Sequence, residues 1–319
     1  MYPELFKIPF TELSVKSYGL MMVLGFLSAM FVIRRLSRGM GENAEHITTA
    51  ALYSLIYGVV GARIFYIVHY WRQFRGRGLS EIFAVWNGGL ELLGGVVLAI
   101  LVIAVYLRAK KLPVRRYLDI LAIGLMLALA VGRLGCFLNG CCFGRPTTCA
   151  IGVRFPYNSP AYQSQTAPDF SRNRAEPYLK LPGDYFADGY LKPYKALTDE
   201  QKQQITKGEY RCLPVHPTEL YSSGLALVVC LLLYLFWHWG RGLEKQKRTP
   251  PAVTKSGSTF ALMFVLYSIC RFFLEFIRDD NPFGANGLTV SQNLGVAMFI
   301  FGFVLLGVFA KMKPEKPLS

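Results

Sequence analysis

Charge sits in this sequence where charge is costly. Arg133 lies within the apolar run 117–139, and Arg271, Glu275 and Arg278 lie in or just beyond the apolar run 258–277. An ionisable side chain inside a membrane span is expensive unless it pairs or meets water, so each is a functional candidate. Arg271, Glu275 and Arg278 stand at i, i+4 and i+7, on one helical face. Arg271 and Glu275 can form a structural ion pair with no further role. Arg133 has no carboxylate within a helical turn, which suits it to an anion supplied from elsewhere; phosphate is the common anion of lipids.

Residues 132–144 form the densest motif. Glycines at 132, 135, 140 and 144 allow the end of a span to unwind into a cavity lining and offer backbone donors to an anion. Cys136, Cys141 and Cys142 lie in the same motif. No histidine is near them to complete a ligand set, so no metal and no cofactor is expected. A redox pair is an alternative, and small buried hydrophobes are the commonest use of free cysteine. At the same depth lie Tyr18, the pairs Gly88-Gly89 and Gly94-Gly95, and the run His216-Pro217-Thr218-Glu219-Leu220-Tyr221. Glycine pairs admit a neighbouring backbone or a ligand, and tyrosines at such positions commonly act as interfacial anchors.

The elements that carry these residues follow from composition. The chain is 53% hydrophobic and 17% charged, and its apolar residues gather in blocks of the roughly 20 residues needed to cross a bilayer as a helix. Seven blocks are expected, near 17–36, 47–70, 88–107, 117–139, 219–238, 258–277 and 287–311. The class is therefore all-α, a polytopic integral membrane protein. Glu4 and Glu12 precede the first block and no small-residue cleavage site follows, so no removable leader is expected. Lysine and arginine concentrate near 34–38, 108–116, 241–255 and 311–316, which places the N-terminus outside and the C-terminus in the cytoplasm. The net charge of +15 is largely this excess; anionic lipid explains it, and no nucleic-acid partner is required.

Four parts are expected: spans in 1–143, an external polar segment over 144–215, further spans in 216–311, and a solvated cytoplasmic tail over 312–319. Cys149 and Cys212 bracket the external segment; outside the membrane they are either a disulfide or two unpaired thiols.

With these surroundings the motif resembles the prolipoprotein diacylglyceryl transferase family over nearly the whole chain. The resemblance rests on Ser17-Tyr18-Gly19-Leu20-Met21, Gly88-Gly89-Leu90 with Gly94-Gly95, the 132–144 signature, His216 to Tyr221, and Arg271-Phe272-Phe273-Leu274-Glu275-Phe276-Ile277-Arg278. It implies a bacterial inner-membrane enzyme that transfers diacylglycerol from phosphatidylglycerol to the lipobox cysteine of a preprolipoprotein, releasing glycerol phosphate. Its partners would be phosphatidylglycerol, lipobox peptides and membrane lipids. Arg133 and Arg271 resemble the family's essential arginines, with Tyr18 and Glu275 beside them in catalysis. Asn139, Gly144, Arg278, Gly94, Gly95, His216 and Tyr221 would complete the lipid site.

The sequence departs from the family pattern at several positions. Leu93 stands where a histidine is usual, Cys136 replaces an asparagine and Cys141 a glutamate, and Glu219 and Ser222 stand in place of a glutamine and a glutamate. The proton acceptor is unassigned among Glu91, Glu219 and His216. Two other functions stand beside the transferase: a lipid-handling paralogue without catalysis, motivated by the missing histidine and glutamate, and a membrane thiol oxidoreductase using Cys136 with Cys141 or Cys142.

Overall fold

The computed structural model describes residues 4–7, 14–40, 44–74, 82, 89, 91–246, 251–284, 286–313 and 315. Gly88 and Leu90 of the expected motif lie outside them, as does the side chain of Leu93. A short antiparallel pair, β1 (Glu4–Lys7) and β2 (Ser14–Lys16), leads into α1 (Ser17–Gly39) and α2 (Ala44–His69). A single turn at Trp71–Phe74 precedes α3 (Leu92–Ala109) and α4 (Val114–Asn139). The polar segment carries α5 (Pro160–Thr166), a two-residue pair of strands β3 (Phe186–Ala187) and β4 (Tyr190–Leu191), and α6 (Asp199–Thr206). Then come α7 (Thr218–Lys245), α8 (Ser258–Leu274) and α9 (Val290–Lys311).

Among the described residues, five helices are long and apolar enough to cross a bilayer: α1, α2, α4, α7 and α9. Two further apolar helices, α3 and α8, are shorter. The chain is thus a mostly helical membrane protein. Large apolar side chains such as Phe31, Leu231, Ile300 and Val304 point outward and are more than half exposed, an arrangement that hydrocarbon tolerates and water does not.

Small residues let the helices approach. A Cβ on Gly25 of α1 would come within 2.9 Å of the Ala128 carbonyl of α4, and one on Gly61 of α2 within 2.5 Å of the Gly94 carbonyl of α3. Lipid tails are as apolar as leucine, so such close contacts take the place of a hydrophobic driving force between the helices. Helix ends are closed by specific partners. Gly140 caps α4 at φ 73, and Thr289 with Gln292 forms a capping box on α9. Asp119 of α4 accepts from the backbone N–H groups of Gly257 and Phe260 at 2.7 and 2.9 Å, capping α8 from a neighbouring helix.

The same end of the bundle as Asp119 collects basic side chains. Arg115 lies 3.3 Å from Glu315, Arg116 lies 3.5 Å from Glu244, and Arg241 donates to the Gly39 carbonyl at 3.1 Å. Residues 144–215 stack on the opposite end with apolar clusters of their own, one around Phe155, Tyr162, Leu179 and Val215, the other around Tyr185, Leu197 and Ile205. The disulfide considered for Cys149 and Cys212 is not formed: both thiols are free. Cys212 is buried and turned toward the Gln165 Oε1 and the Leu213 carbonyl, whereas Cys149 is exposed.

Burial also raises the Cys212 thiol pKa above its ordinary value, keeping it protonated and a poor nucleophile. A water-soluble maleimide should therefore label Cys149 in the native protein and reach Cys212 only after unfolding; equal labelling of both would contradict this packing. Replacing Gly25 by leucine should lower stability in detergent by about 1–3 kcal/mol through overpacking. Gly19→Leu, where nothing lies within 4 Å of the added Cβ, is the control and should shift the unfolding midpoint little.

Candidate active site

Glu275, just past the last turn of α8, is fully buried. Its carboxylate lies 2.9 Å from Arg271 and 4.0 Å from Arg278. Asn281 Nδ2 donates to Glu275 Oε1 at 2.5 Å and Thr289 Oγ1 donates at 3.1 Å. One carboxylate therefore ties the end of α8, the loop after it and the start of α9 into one unit. Arg271 and Glu275 form the ion pair that their spacing allows, but it is not the whole story for the arginine. Arg271 donates a second bond to Ser291 Oγ at 2.8 Å, while its Nη1 is buried without a hydrogen-bond partner. Arg133, on the last turns of α4, likewise has a buried Nε with no partner. Buried donors of this kind are uncommon in folded proteins; Arg116 and Arg174 carry others, and those on Arg133 and Arg271 differ in lying near one another at one end of the apolar bundle.

The two guanidinium groups lie within electrostatic reach of each other, and Tyr267 of α8 lies within reach of both. Tyr267 carried no sequence signal beyond its place one turn before Arg271. It also lines a narrow cavity between α7 and α8 with Ser222, Val229, Cys270 and Arg271. Tyr18 packs at the same end: a Cβ on Gly135 would come within 3.3 Å of its ring, so that glycine makes room for the tyrosine. Tyr18 is within electrostatic reach of Arg133 and the three motif cysteines.

The motif cysteines converge. Cys136, Cys141 and Cys142 place their sulfurs within 4.8 Å of one another, and the side chain of Asn139 reaches the Cys141 thiol. Gly144 works through its backbone. Its N–H donates to the His216 carbonyl at 3.0 Å, and a Cβ there would sit 2.8 Å from His216 and Thr218. The neighbouring Arg145 N–H donates to the Ile277 carbonyl at 2.8 Å, so the motif is stitched to the loop after α8.

Other expected members are held differently. Arg278 is buried and bound twice by Asp280, at 2.8 and 2.5 Å, so its charge is already balanced; Asp280 had not been singled out. His216 and Tyr221 engage one another at 3.3 Å. At Gly94 and Gly95 the close approach of a neighbouring helix, one of the two uses expected of a glycine pair, is observed: a Cβ on Gly94 would strike Phe65, and one on Gly95 would come within 2.7 Å of the Gly58 carbonyl. Their small size is used to seat α3 against α2. Arg63, another arginine inside a span, donates to the carbonyls of Ile82 and Gly89 at 2.9 and 3.0 Å, an anchoring role. Of the candidate bases, Glu91 is 2.5 Å from His69 Nδ1, and Glu219 is buried with neither carboxylate oxygen hydrogen-bonded.

The profile described as prolipoprotein diacylglyceryl transferase matches residues 3–308. The chain belongs to that family. A Clostridium perfringens relative named phosphatidylglycerol–prolipoprotein diacylglyceryl transferase 2 is 28% identical over 305 residues, covering 95% of this chain and 94% of its own. A transferase of the same name, without the numeral, from Clostridium tetani is 26% identical over 308 residues, covering 97% and 98%. One from Chloroflexus aggregans is 27% identical over 330 residues, covering 100% and 93%.

Removing the Glu275 carboxylate should be severe, because breaking a buried pair strands the remaining charge at a cost of about 3–5 kcal/mol. Glu275→Ala is expected to lower the thermal unfolding midpoint far more than Glu91→Ala, whose partner His69 is 64% exposed. Similar midpoints for the two variants would show that Glu275 is not the organising group.

Proposed function

We propose that this protein transfers the diacylglyceryl group of phosphatidylglycerol to the lipobox cysteine thiol of preprolipoproteins, in a bacterial cytoplasmic membrane. The observation that carries this is the pair of buried, unsatisfied donors on Arg133 Nε and Arg271 Nη1, at one end of an apolar helical bundle of this family. Two guanidinium forks suit a lipid phosphate, and they become most useful as charge gathers on the departing phosphate ester. The lipid headgroup would be held by Arg133 and Arg271, with Tyr18, Tyr267 and Asn139 around it. Glu275 acts by fixing Arg271, and Gly144 by bringing the α4 end against the start of α7.

In this proposal the five long and two shorter apolar helices together make seven spans, with the N-terminus outside and the basic end of the bundle in the cytoplasm. The active site then lies at the outer leaflet, open laterally to lipid. Residues 144–215 cover it from outside and accept the peptide. Arg172 of that segment donates to the carbonyls of Arg278 and Asn281 at 2.8 and 2.6 Å and lies 3.3 Å from Asp279. The external segment is thereby coupled to the loop that Glu275 organises.

The test is transfer of labelled diacylglycerol from phosphatidylglycerol to a lipobox peptide by the purified full-length chain. Arg133→Ala and Arg271→Ala should each reduce turnover by about 10²–10³-fold, the effect of losing one charge-stabilising donor set. Arg133→Lys should recover little, because a point charge does not replace a planar fork. Absence of transfer by the unaltered chain, or full activity of either alanine variant, would overturn the assignment.

A further inference from the structure

The phosphate clamp leaves two features at the site unused: the three thiols and the Glu219 carboxylate. Cys136 lies on the last turns of α4, and Cys141 and Cys142 lie just beyond its glycine cap. The left-handed Gly140, at φ 73, reverses the chain there, and Cys142 itself adopts φ 68. That conformation costs a residue with a Cβ roughly 1–2 kcal/mol and persists only where the surroundings compensate. The outcome is three sulfurs within 4.8 Å of one another, one thiol buried and two half-buried. Sulfurs bound to one tetrahedral zinc at about 2.3 Å stand roughly 3.8 Å apart, so a small contraction would complete the geometry.

Glu219 is the independent observation. It is 1% exposed, and neither carboxylate oxygen has a hydrogen-bond partner. It lies within electrostatic reach of Cys142, and the adjacent Thr218 Oγ1 donates to the Cys142 carbonyl at 2.6 Å. A buried carboxyl group left without a partner beside the thiols is a polar group that the folded chain has not otherwise used. Arg278 is near, but Asp280 already balances it.

We propose that Cys136, Cys141 and Cys142 bind one thiophilic divalent cation, zinc being the type, and that its fourth coordination position takes the thiol of the peptide substrate. The first half stands on the thiol geometry; the second rests on the transferase function proposed above. Catalytic zinc keeps three protein ligands and an open position, and a thiol bound there is ionised outright. The bound cation would then generate the nucleophile that Leu93, standing at the family's usual histidine, cannot. The substrate S–H proton passes to water, and the thiolate attacks the glycerol carbon bearing the phosphate. A C–S bond forms and the C–O bond breaks, its electron pair leaving with glycerol phosphate held by Arg133 and Arg271. The product thioether is uncharged and a weaker ligand, so it departs. No atom changes charge through oxidation, and no further reactant is needed.

The experiment is elemental analysis of the full-length protein purified in detergent under reducing conditions and equilibrated with zinc. About one zinc per chain is expected, with near-complete loss in Cys136→Ser/Cys141→Ser/Cys142→Ser and full retention in Cys230→Ser/Cys270→Ser, whose thiols lie in other helices. Should the triple variant not fold, Cys141→Ser alone should lower zinc affinity by about tenfold or more. In the cobalt-substituted protein, a lipobox peptide should alter the visible bands, whereas its Cys→Ser analogue should not. Substoichiometric zinc in the unaltered chain, zinc retained by the triple variant, or a disulfide among the three cysteines would overturn the metal site. Unchanged cobalt bands with the cysteine peptide would overturn its substrate role. Stoichiometric zinc without any transfer would refute the transferase function while leaving the metal site standing; undiminished transfer by the zinc-free triple variant would do the reverse.

Discussion

A single fully buried carboxylate governs the working end of this molecule. Glu275 holds Arg271, Asn281 and Thr289 at once, and through them it sets the end of α8, the loop beyond it and the start of α9. In a low-dielectric surrounding such a charge is tolerable only with partners close by, and these come from three segments, so the polypeptide around it has little freedom. Arg172 grips the same loop from the polar segment 144–215. That segment and the ends of α8 and α9 are consequently parts of one network.

Charge is held at both ends of the bundle. At the basic end Arg115 and Arg116 pair with Glu315 and Glu244, although the Arg116 Nε is buried without a hydrogen-bond partner, and Asp119 is spent on capping α8. At the other end Arg133 and Arg271 each keep a buried donor without a partner. Leaving a buried guanidinium donor unsatisfied costs stability; in the proposed function the donors on Arg133 and Arg271 are the ones that meet an anion. Glycines between α1 and α4 and between α2 and α3 let helices with mostly outward-facing apolar side chains pack closely enough to hold that arrangement.

The departures from the family pattern become intelligible as a group at this end. Cys136, Cys141 and Cys142, of which the sequence alone marks Cys136 and Cys141 as departures from the pattern it resembles, gather beside the buried Glu219. Taken one at a time these residues look like losses. Placed together they are a donor set, next to the arginines that would hold the departing phosphate.

The sequence by itself determined the class, the family and the principal arginines, because burying charge in an apolar run is expensive and shows up in any linear reading. The i, i+4 relation of Arg271 and Glu275 was legible for the same reason, since helical periodicity is local. What depends on distant segments was not legible. The Asp280 clamp on Arg278, the seating of Gly94 and Gly95 against α2, the reach of Tyr267 to both arginines and the separate fates of Cys149 and Cys212 all arise from packing between elements. Only the tertiary structure could decide whether three cysteines without a histidine stand apart or together. That answer depends on a left-handed turn at Gly140 and Cys142, which brings the chain back toward the end of α4.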